Sequence, residues 1–580
     1  MPTTPRETAL AAVAASGRLR GAERRTDGRE IVGRAMVEGA EVEVGVRFGP
    51  GFPEVLPTVH LYPWDALGLL PHVLPPERPG GSGFVCYLDM EGTILDRRNP
   101  GGLAVEALDR ALDLLAEGAR GDNVGEFAEE WETYWGQVSR GTPLLLVGDA
   151  PQRAGTLTVF EAAPNTPLLL ARDEAAARSF TGQTSALKAA QTVIYVPLRP
   201  GSSPTPPHLH GPAWTGSDVR ALLRTCAAAE DVRRAQKKGR RLRARFTHRS
   251  RETVVFSLPK SGGGLSFFAV EFDGVRGPHP LLKGRYDAVR HVHVERFDRG
   301  FLVPRGGGDG ALSRARALVI GCGAVGGRVA VELARSGVLR LTLVDPDVMR
   351  MANVFRHVLG RTAFGLNKAQ AMKARLEMDL PYVESRAVPA TIETALSEGT
   401  VRFADYDLVV FATGHPTSEL ALNERLWATT GGPAVVYAWV EPYGIGGHAL
   451  LMRPGQPGCL ECLYTSSDLE APALANRAAF AAAPPTGRTY GKALSGCGSL
   501  FTPYGSVDAA QSALAAVRLG VGALTGAVDG NPLVSWTGDA AAFEAEGFSV
   551  TTRHGRSADA LAAERLDYVA SGCPVCGNTS

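Results

Sequence analysis

Apolar and polar residues alternate through VEVGVRFGPGFPEVLPTVHLYP (residues 42–63), a period of two that predicts strands broken by Gly/Pro turns. The period then changes. In GGLAVEALDRALDLLAEG (101–118), Ala104, Leu108, Leu112 and Leu115 recur at helical spacing. EFAEEWETYWGQV (126–138) gathers Phe127, Trp131, Tyr134 and Trp135, read as the core face of a closing helix. Residues 1–140 are thus expected to form a small α+β domain. Between 141 and 300, TPLLLVGD, TLTVFEA, TVIYVPL, ETVVFSL and SFFAVEF read as strands of a sheet-rich domain of unknown role, interrupted by a Pro/Ser/Gly-rich loop at 199–217. From 301 to 580, RALVIGCGAVGG, VAVELARSG and LRLTLVDPD give strand, Gly-rich turn, helix and strand. KAQAMKARLEM, DYDLVVFATG and PAVVYAWV continue the alternation, which predicts a doubly wound α/β domain.

At 580 residues the chain has room for three such domains, and 61 basic against 60 acidic residues leave no global charge to attract nucleic acid or membranes. No apolar run appears long enough to span a bilayer and no signal peptide is evident, so no membrane partner is expected. Four of the eight cysteines stand in two CxxC pairs, which suits a reducing cytoplasm and a metal better than disulfides. Residues 233–251 hold ten Lys or Arg, readable as a nucleic-acid or nucleotide surface or as a solvated helix face. His208 and His210 read either as an HxH ligand pair or as exposed histidines of a turn-rich loop.

Gly321, Gly323 and Gly326 form GxGxxG between a strand and a helix, where bare backbone and a helix N-terminus receive phosphate. Dehydrogenases share this loop, and Asp345, ending the next strand, suits a ribose hydroxyl in either case. Asn353, Arg356 and Lys368 then separate the readings. A dehydrogenase has no need of them, whereas an adenylating enzyme must neutralise charge on the α-phosphate and leaving pyrophosphate as a carboxylate attacks ATP.

On these motifs, residues 312–580 resemble the ThiF family, the adenylating fold of ubiquitin-activating enzymes and bacterial sulfur-carrier activators. The resemblance implies that Asp345 holds the ATP ribose and that Asn353, Arg356 and Lys368 hold and polarise the phosphates. The family's magnesium-binding aspartate after the strand DLVVFAT is replaced by Gly414; Asp347 or another carboxylate must take over the Mg2+, or adenylation is impaired. Family members often form dimers, sometimes with a partner arginine entering the site, for which Arg305 is the candidate.

Cys459/Cys462 and Cys573/Cys576 supply the four thiolates of a closed tetrahedral Zn2+ site that pins the C-terminal tail. Cys497, in LSGCGSLFTPYG, stands outside that set between two glycines, a candidate nucleophile toward an acyl adenylate, with a buried structural cysteine as the alternative. Cys322 and Cys226 read as packing cysteines. Near the other end, PPERPGGSGFVCYLDMEGTILDRRNPGG places Cys86 after strands and a Pro/Gly-rich segment and before a helix. That order resembles ubiquitin-conjugating enzymes, especially their bacterial relatives. The family's His-Pro-Asn triplet is missing, and its nearest echo is His72, fourteen residues upstream in LLPHVLPP. The whole order resembles the bacterial activating–conjugating fusions of cyclic-oligonucleotide-based antiphage signalling systems (CBASS). The resemblance implies that the C-terminus of a protein substrate, such as a cGAS-like nucleotidyltransferase, is adenylated, passed to Cys497, then to Cys86, and joined to a target amine. The alternatives are a ThiF-type adenylyltransferase of another ubiquitin-like or sulfur-carrier pathway, and a nucleotide-binding scaffold with decayed chemistry.

Overall fold

The structure is a computed structural model that describes residues 4–76, 81–88, 93–162, 166–182, 187–207, 209–211, 214–243, 250–429, 431–464, 474–486, 488–493 and 500–577. The chain forms two compact units. The first comprises residues 1–177 and 186–297, the second residues 178–185 and 298–580.

The first unit opens with helix α1 (Pro5–Ala15) and strands β1 (Arg20–Arg24), β2 (Glu30–Val37), β3 (Ala40–Arg47), β4 (Thr58–Tyr62), β5 (Val73–Leu74) and β6 (Gly83–Val85), followed by helix α2 (Pro100–Arg120). The strands pair antiparallel in the order β1-β2-β3-β4-β6-β5. Apolar residues of the sheet (Val44, Val59, Val85) bury against Leu10 of α1 and Leu108 and Leu115 of α2. The stripe expected on α2 is the buried one, with Leu112 at its margin.

Residues 126–138 depart from expectation. They form two short helices, α3 (Glu126–Glu129) and α4 (Trp131–Val138), whose aromatic residues serve different neighbours. Phe127 and Tyr134 meet edge to face at 5.3 Å. Trp131 and Trp135 instead stack on each other and pack onto Phe268, in the core of a closed barrel. Four residues apart on one helix, they necessarily share a face.

That barrel comprises β7 (Leu144–Leu146), β8 (Gly155–Glu161), β9 (Leu168–Ala171), β10 (Lys188–Pro197), β11 (Ser250–Pro259), β12 (Leu265–Val275) and β13 (Ala288–Arg296), closing in the order β10-β11-β12-β13-β7-β9-β8. Along β10, Val193 and Tyr195 fill one core while Ile194 and Val196 join the other, against helices α6 (Gly216–Cys226) and α7 (Ala229–Arg243); α5 (Glu174–Thr181) precedes β10. Burial of both faces explains the near-continuous apolar runs. Cys226 is a packing residue of this core. Arg233, Lys237, Arg240 and Arg241 project outward from α7, and the basic run continues into residues outside those described. His208 also lies outside them; His210 hydrogen-bonds the Pro76 carbonyl at 3.0 Å.

In the second unit, after α8 (Arg299–Arg305), come β14 (Arg316–Ile320), α9 (Gly326–Arg335), β15 (Arg340–Val344), α10 (Lys368–Asp379), β16 (Glu384–Val388), α11 (Ile392–Ser397), β17 (Leu408–Phe411), α12 (Pro416–Trp427), β18 (Ala434–Val440) and β19 (Gly446–Met452). A two-residue ribbon, β20 (Lys492–Ala493) with β21 (Leu500–Phe501), precedes α13 (Ser506–Thr525) and β22 (Leu533–Thr537). The sheet order is β16-β15-β14-β17-β18-β19-β22, parallel through β18 and antiparallel beyond. This is the doubly wound arrangement, and its order reverses beside β14. Helix α13 does have the length and apolar composition to cross a membrane, against expectation. It packs on β18, β19 and α9.

Candidate active site

Where strand order reverses, helices leave opposite faces of the sheet and a crevice opens at the strands' C-terminal ends. A cavity of about 690 Å³ occupies this place, floored by Gly321 and Gly323, Asp345, and Phe411–Thr413 at the ends of β14, β15 and β17. Gly321 has φ +86, and a Cβ there would come 2.6 Å from the Ala412 carbonyl oxygen. At Gly326 a Cβ would lie 1.8 Å from the Gly321 carbonyl oxygen. These two glycines close the turn. Gly323 meets nothing and leaves its backbone open.

Asp345 is 5% exposed, and both its oxygens hold the loop: Oδ2 accepts the Cys322 N–H at 2.7 Å and Oδ1 the Asp347 N–H at 2.8 Å. Burial raises its pKa, against the pull of the Lys368 ammonium. Lys368 starts α10, capped by Asn367, and its Nζ bonds Asp347 Oδ2 at 2.8 Å. Cys322 is fully buried, and that burial pushes its thiol well up. His357, which the sequence reading passed over, braces the loop: Nε2 donates to the Cys322 carbonyl at 2.6 Å and Nδ1 accepts the Leu359 N–H. Burial lowers its pKa, which keeps the ring neutral for this role.

Gly321, Gly323, Asp345 and Lys368 therefore share one cavity. Asn353 and Arg356 do not line it. Asn353 closes a 3₁₀ turn by accepting the Arg350 N–H, and the Arg356 guanidinium lies 4.8 Å over the Tyr504 ring. Cys497 is outside the described residues, between β20 and β21.

The cavity also contains a carboxylate that sequence reasoning did not single out. Glu419, in the first turn of α12, is 8% exposed and accepts from the Thr413 hydroxyl at 2.6 Å and the Thr413 N–H at 3.3 Å, both through Oε1. Burial raises its pKa. Glu419 and Asp347 both line the cavity, and carboxylate oxygens are the hard donors that suit Mg2+. Its signal in the sequence was weak: one Glu five residues past Gly414, at a helix start.

In the first unit, Cys86 is half-buried and its N–H donates to the His72 carbonyl at 2.8 Å. His72 Nε2 lies 2.6 Å from Glu126 and Nδ1 3.1 Å from Glu130. Hydrogen bonding with the Cys86 sulfur, then with Glu130, pushes the imidazole pKa up to about 10.

Cys459, Cys462, Cys573 and Cys576 are buried with all four sulfurs within 4.8 Å of one another, the nearest across the two pairs at 3.3 and 3.7 Å. Metal–sulfur bonds of about 2.3 Å in a tetrahedron put sulfurs about 3.8 Å apart, so this donor set can hold a metal ion.

The ThiF family model matches residues 301–531, and the Prokaryotic E2 family B model matches residues 7–140. The chain is similar to the ATP-dependent ubiquitin transferase-like protein Cap2 of Pseudomonas aeruginosa, 26% identical over 420 residues that cover 68% of this chain and 72% of that protein. It is also similar to the probable adenylyltransferase/sulfurtransferase MoeZ of Mycobacterium tuberculosis, 29% identical over 32% of this chain and 46% of that protein. Among solved structures, E. coli MccB aligns at 18% identity and a TM-score of 0.33, over 48% of this chain and 68% of that one. The chain thus joins a prokaryotic E2 family B domain to a ThiF family domain in a single polypeptide.

Proposed function

We propose that the protein uses ATP to activate the C-terminus of a protein substrate and transfers it through two thioesters to an amine. The observation that carries this reading is one chain holding both a nucleotide-sized cavity at the ThiF switch point, lined by Asp345 and Lys368, and a half-buried Cys86 bonded to His72 in the E2-type domain. Residues 1–140, 141–300 and 301–580 act as conjugating, linking and activating parts. The substrate carboxylate attacks the ATP α-phosphate; pyrophosphate leaves and acyl-AMP forms. Asp345 receives the ribose and Lys368 faces the phosphates; Asn353 and Arg356, expected to join it, lie outside the cavity lining. Glu419 and Asp347 are the residues that would hold Mg2+, in place of the aspartate missing at Gly414. Cys497 displaces AMP, and exchange between thioesters moves the acyl group to Cys86, from which an amine takes it. Zn2+ in the four-cysteine site is structural, since four protein ligands leave no position for a reacting water. The resemblance to the activating–conjugating fusions of CBASS favours a substrate of the cGAS-like nucleotidyltransferase class, in a cytoplasmic, homodimeric enzyme of antiphage defence.

The test is intact mass after incubation with ATP, Mg2+ and the candidate nucleotidyltransferase. A reductant-labile adduct lost in Cys497→Ala, and a conjugate lost in Cys86→Ala, support the relay. AMP release with no adduct on either cysteine refutes it. A second reading, activation of a sulfur carrier, is favoured by the MoeZ similarity alone and predicts conjugation-independent turnover that Cys86→Ala leaves intact.

A further inference from the structure

Strands β5 and β6 run antiparallel with Val73 opposite Val85, so the next pair along the ribbon is His72 opposite Cys86. The Cys86 N–H donates to the His72 carbonyl at 2.8 Å, which holds the two residues side by side across the ribbon, and the Cys86 sulfur is the largest influence raising the imidazole pKa. The ring is only 19% exposed, and each of its nitrogens already faces a carboxylate: Glu126 at 2.6 Å on Nε2, Glu130 at 3.1 Å on Nδ1. An imidazole with an acceptor on both nitrogens carries both protons, which leaves no lone pair for a general base. The residue is also fixed from behind. Its backbone has φ +60, and its N–H donates at 2.7 Å to the Tyr134 hydroxyl, which in turn donates to Glu130 at 3.4 Å. Among the described residues, the charged and titratable groups facing this centre are Glu126 from α3, Glu130 at the α3–α4 junction, Tyr134 from α4, and Cys86 with the adjacent, half-buried Tyr87.

We propose that His72 is a catalytic residue of the Cys86 centre, an imidazolium that stays charged at neutral pH and stabilises negative charge on the sulfur as acyl groups arrive and leave, with Glu126 and Glu130 as the positioning residues that keep it charged and aimed. The inference rests on the reading of Cys86 as an acyl carrier. In transthiolation the Cys86 sulfur attacks the donor thioester; the new C–S bond forms, the old one breaks, and the donor sulfur departs as thiolate. In conjugation the amine nitrogen attacks the Cys86 thioester, the C–N bond forms, Cys86 departs as thiolate, and the surplus ammonium proton passes to water. His72 keeps both its protons in each step.

The experiment is iodoacetamide alkylation of the full-length protein, quantified at the Cys86 peptide, with no ATP or partner present. His72→Asn removes the charge while tolerating the left-handed backbone; its Cys86 should react at least about tenfold more slowly at pH 7. In the Glu126→Gln/Glu130→Gln double variant, His72 should titrate near its ordinary value of about 6.5. Its alkylation rate should be no slower than wild type at about pH 5.5, where the imidazolium persists without its two carboxylates, and should fall progressively relative to wild type above about pH 7. Wild-type reactivity in His72→Asn, or a variant-to-wild-type ratio that does not change with pH, overturns the proposal. If both effects appear while the wild-type protein forms no ATP-dependent adduct, the charged pair stands and only the relay is removed.

Discussion

Replacing Asp345 with alanine should unlatch the nucleotide loop before any nucleotide is considered. The side chain is 5% exposed, and each oxygen is the acceptor of one loop N–H, from Cys322 and from Asp347. Hydrogen bonds to a charged group contribute about 1.5–3 kcal/mol each, and buried donors left unmade forfeit that contribution, so the two together amount to about 3–6 kcal/mol. Ionising a buried carboxylate already costs part of this, as the upward pKa shift records. We therefore expect a net loss of about 2–4 kcal/mol. For a unit of this size, each kcal/mol moves Tm by about 2–4 °C, so the second unit's transition should drop by roughly 4–16 °C in calorimetry. Asp345→Asn should recover about half of this, because its carbonyl oxygen can accept one N–H while its amide opposes the other. If Asp345 receives the ribose as proposed, pyrophosphate exchange should collapse in both variants. If Asp345→Ala melts within about 1 °C of wild type, the carboxylate does not hold the loop and the argument fails.

Glu419→Gln keeps the bond from the Thr413 hydroxyl, so Tm should barely change, while the magnesium concentration for half-maximal pyrophosphate exchange should rise by roughly tenfold. Trp135→Ala, emptying a site of zero exposure between α4 and the barrel, should cost about 3–5 kcal/mol in the denaturant unfolding of the first unit. Cys573→Ser should reduce bound zinc, measured by plasma mass spectrometry, from about one per chain toward none, and should expose the C-terminal segment to proteolysis. The His72 pair has a signed pH dependence. Its folded pKa, near 10, lies above the unfolded value of about 6.5. Its stabilisation should be complete below about pH 6.5 and lost as pH rises toward 10, so the Tm gap between wild type and His72→Asn should close over that range.

Local pattern made the parallel sheet legible. Each of its first strands is a short apolar run followed by a Gly-rich or acidic turn, and β14, β15, β17 and β18 were all readable with the loop between them. β9 and β13 of the barrel were not. LLLA is too short to distinguish from a loop, and AVRHVHVER is more polar than apolar, so pairing makes them strands: β9 between β7 and β8, β13 between β12 and β7.

Chemistry divided along the same line. The CxxC pairs, Cys86, Asp345 and Lys368 were marked by residue type and spacing, because each belongs to a turn or strand end whose local sequence dictates its backbone. The partners of these residues were not marked. His72 reaches Cys86 only through the register of an antiparallel ribbon, Glu126 and Glu130 reach His72 from helices more than fifty residues on, and Glu419 enters the cavity because α12 starts at the end of β17. The sequence by itself determined which groups can react. Pairing across strands and helices, set by burial summed over whole sheets rather than by any one segment, decided which of those groups face one another.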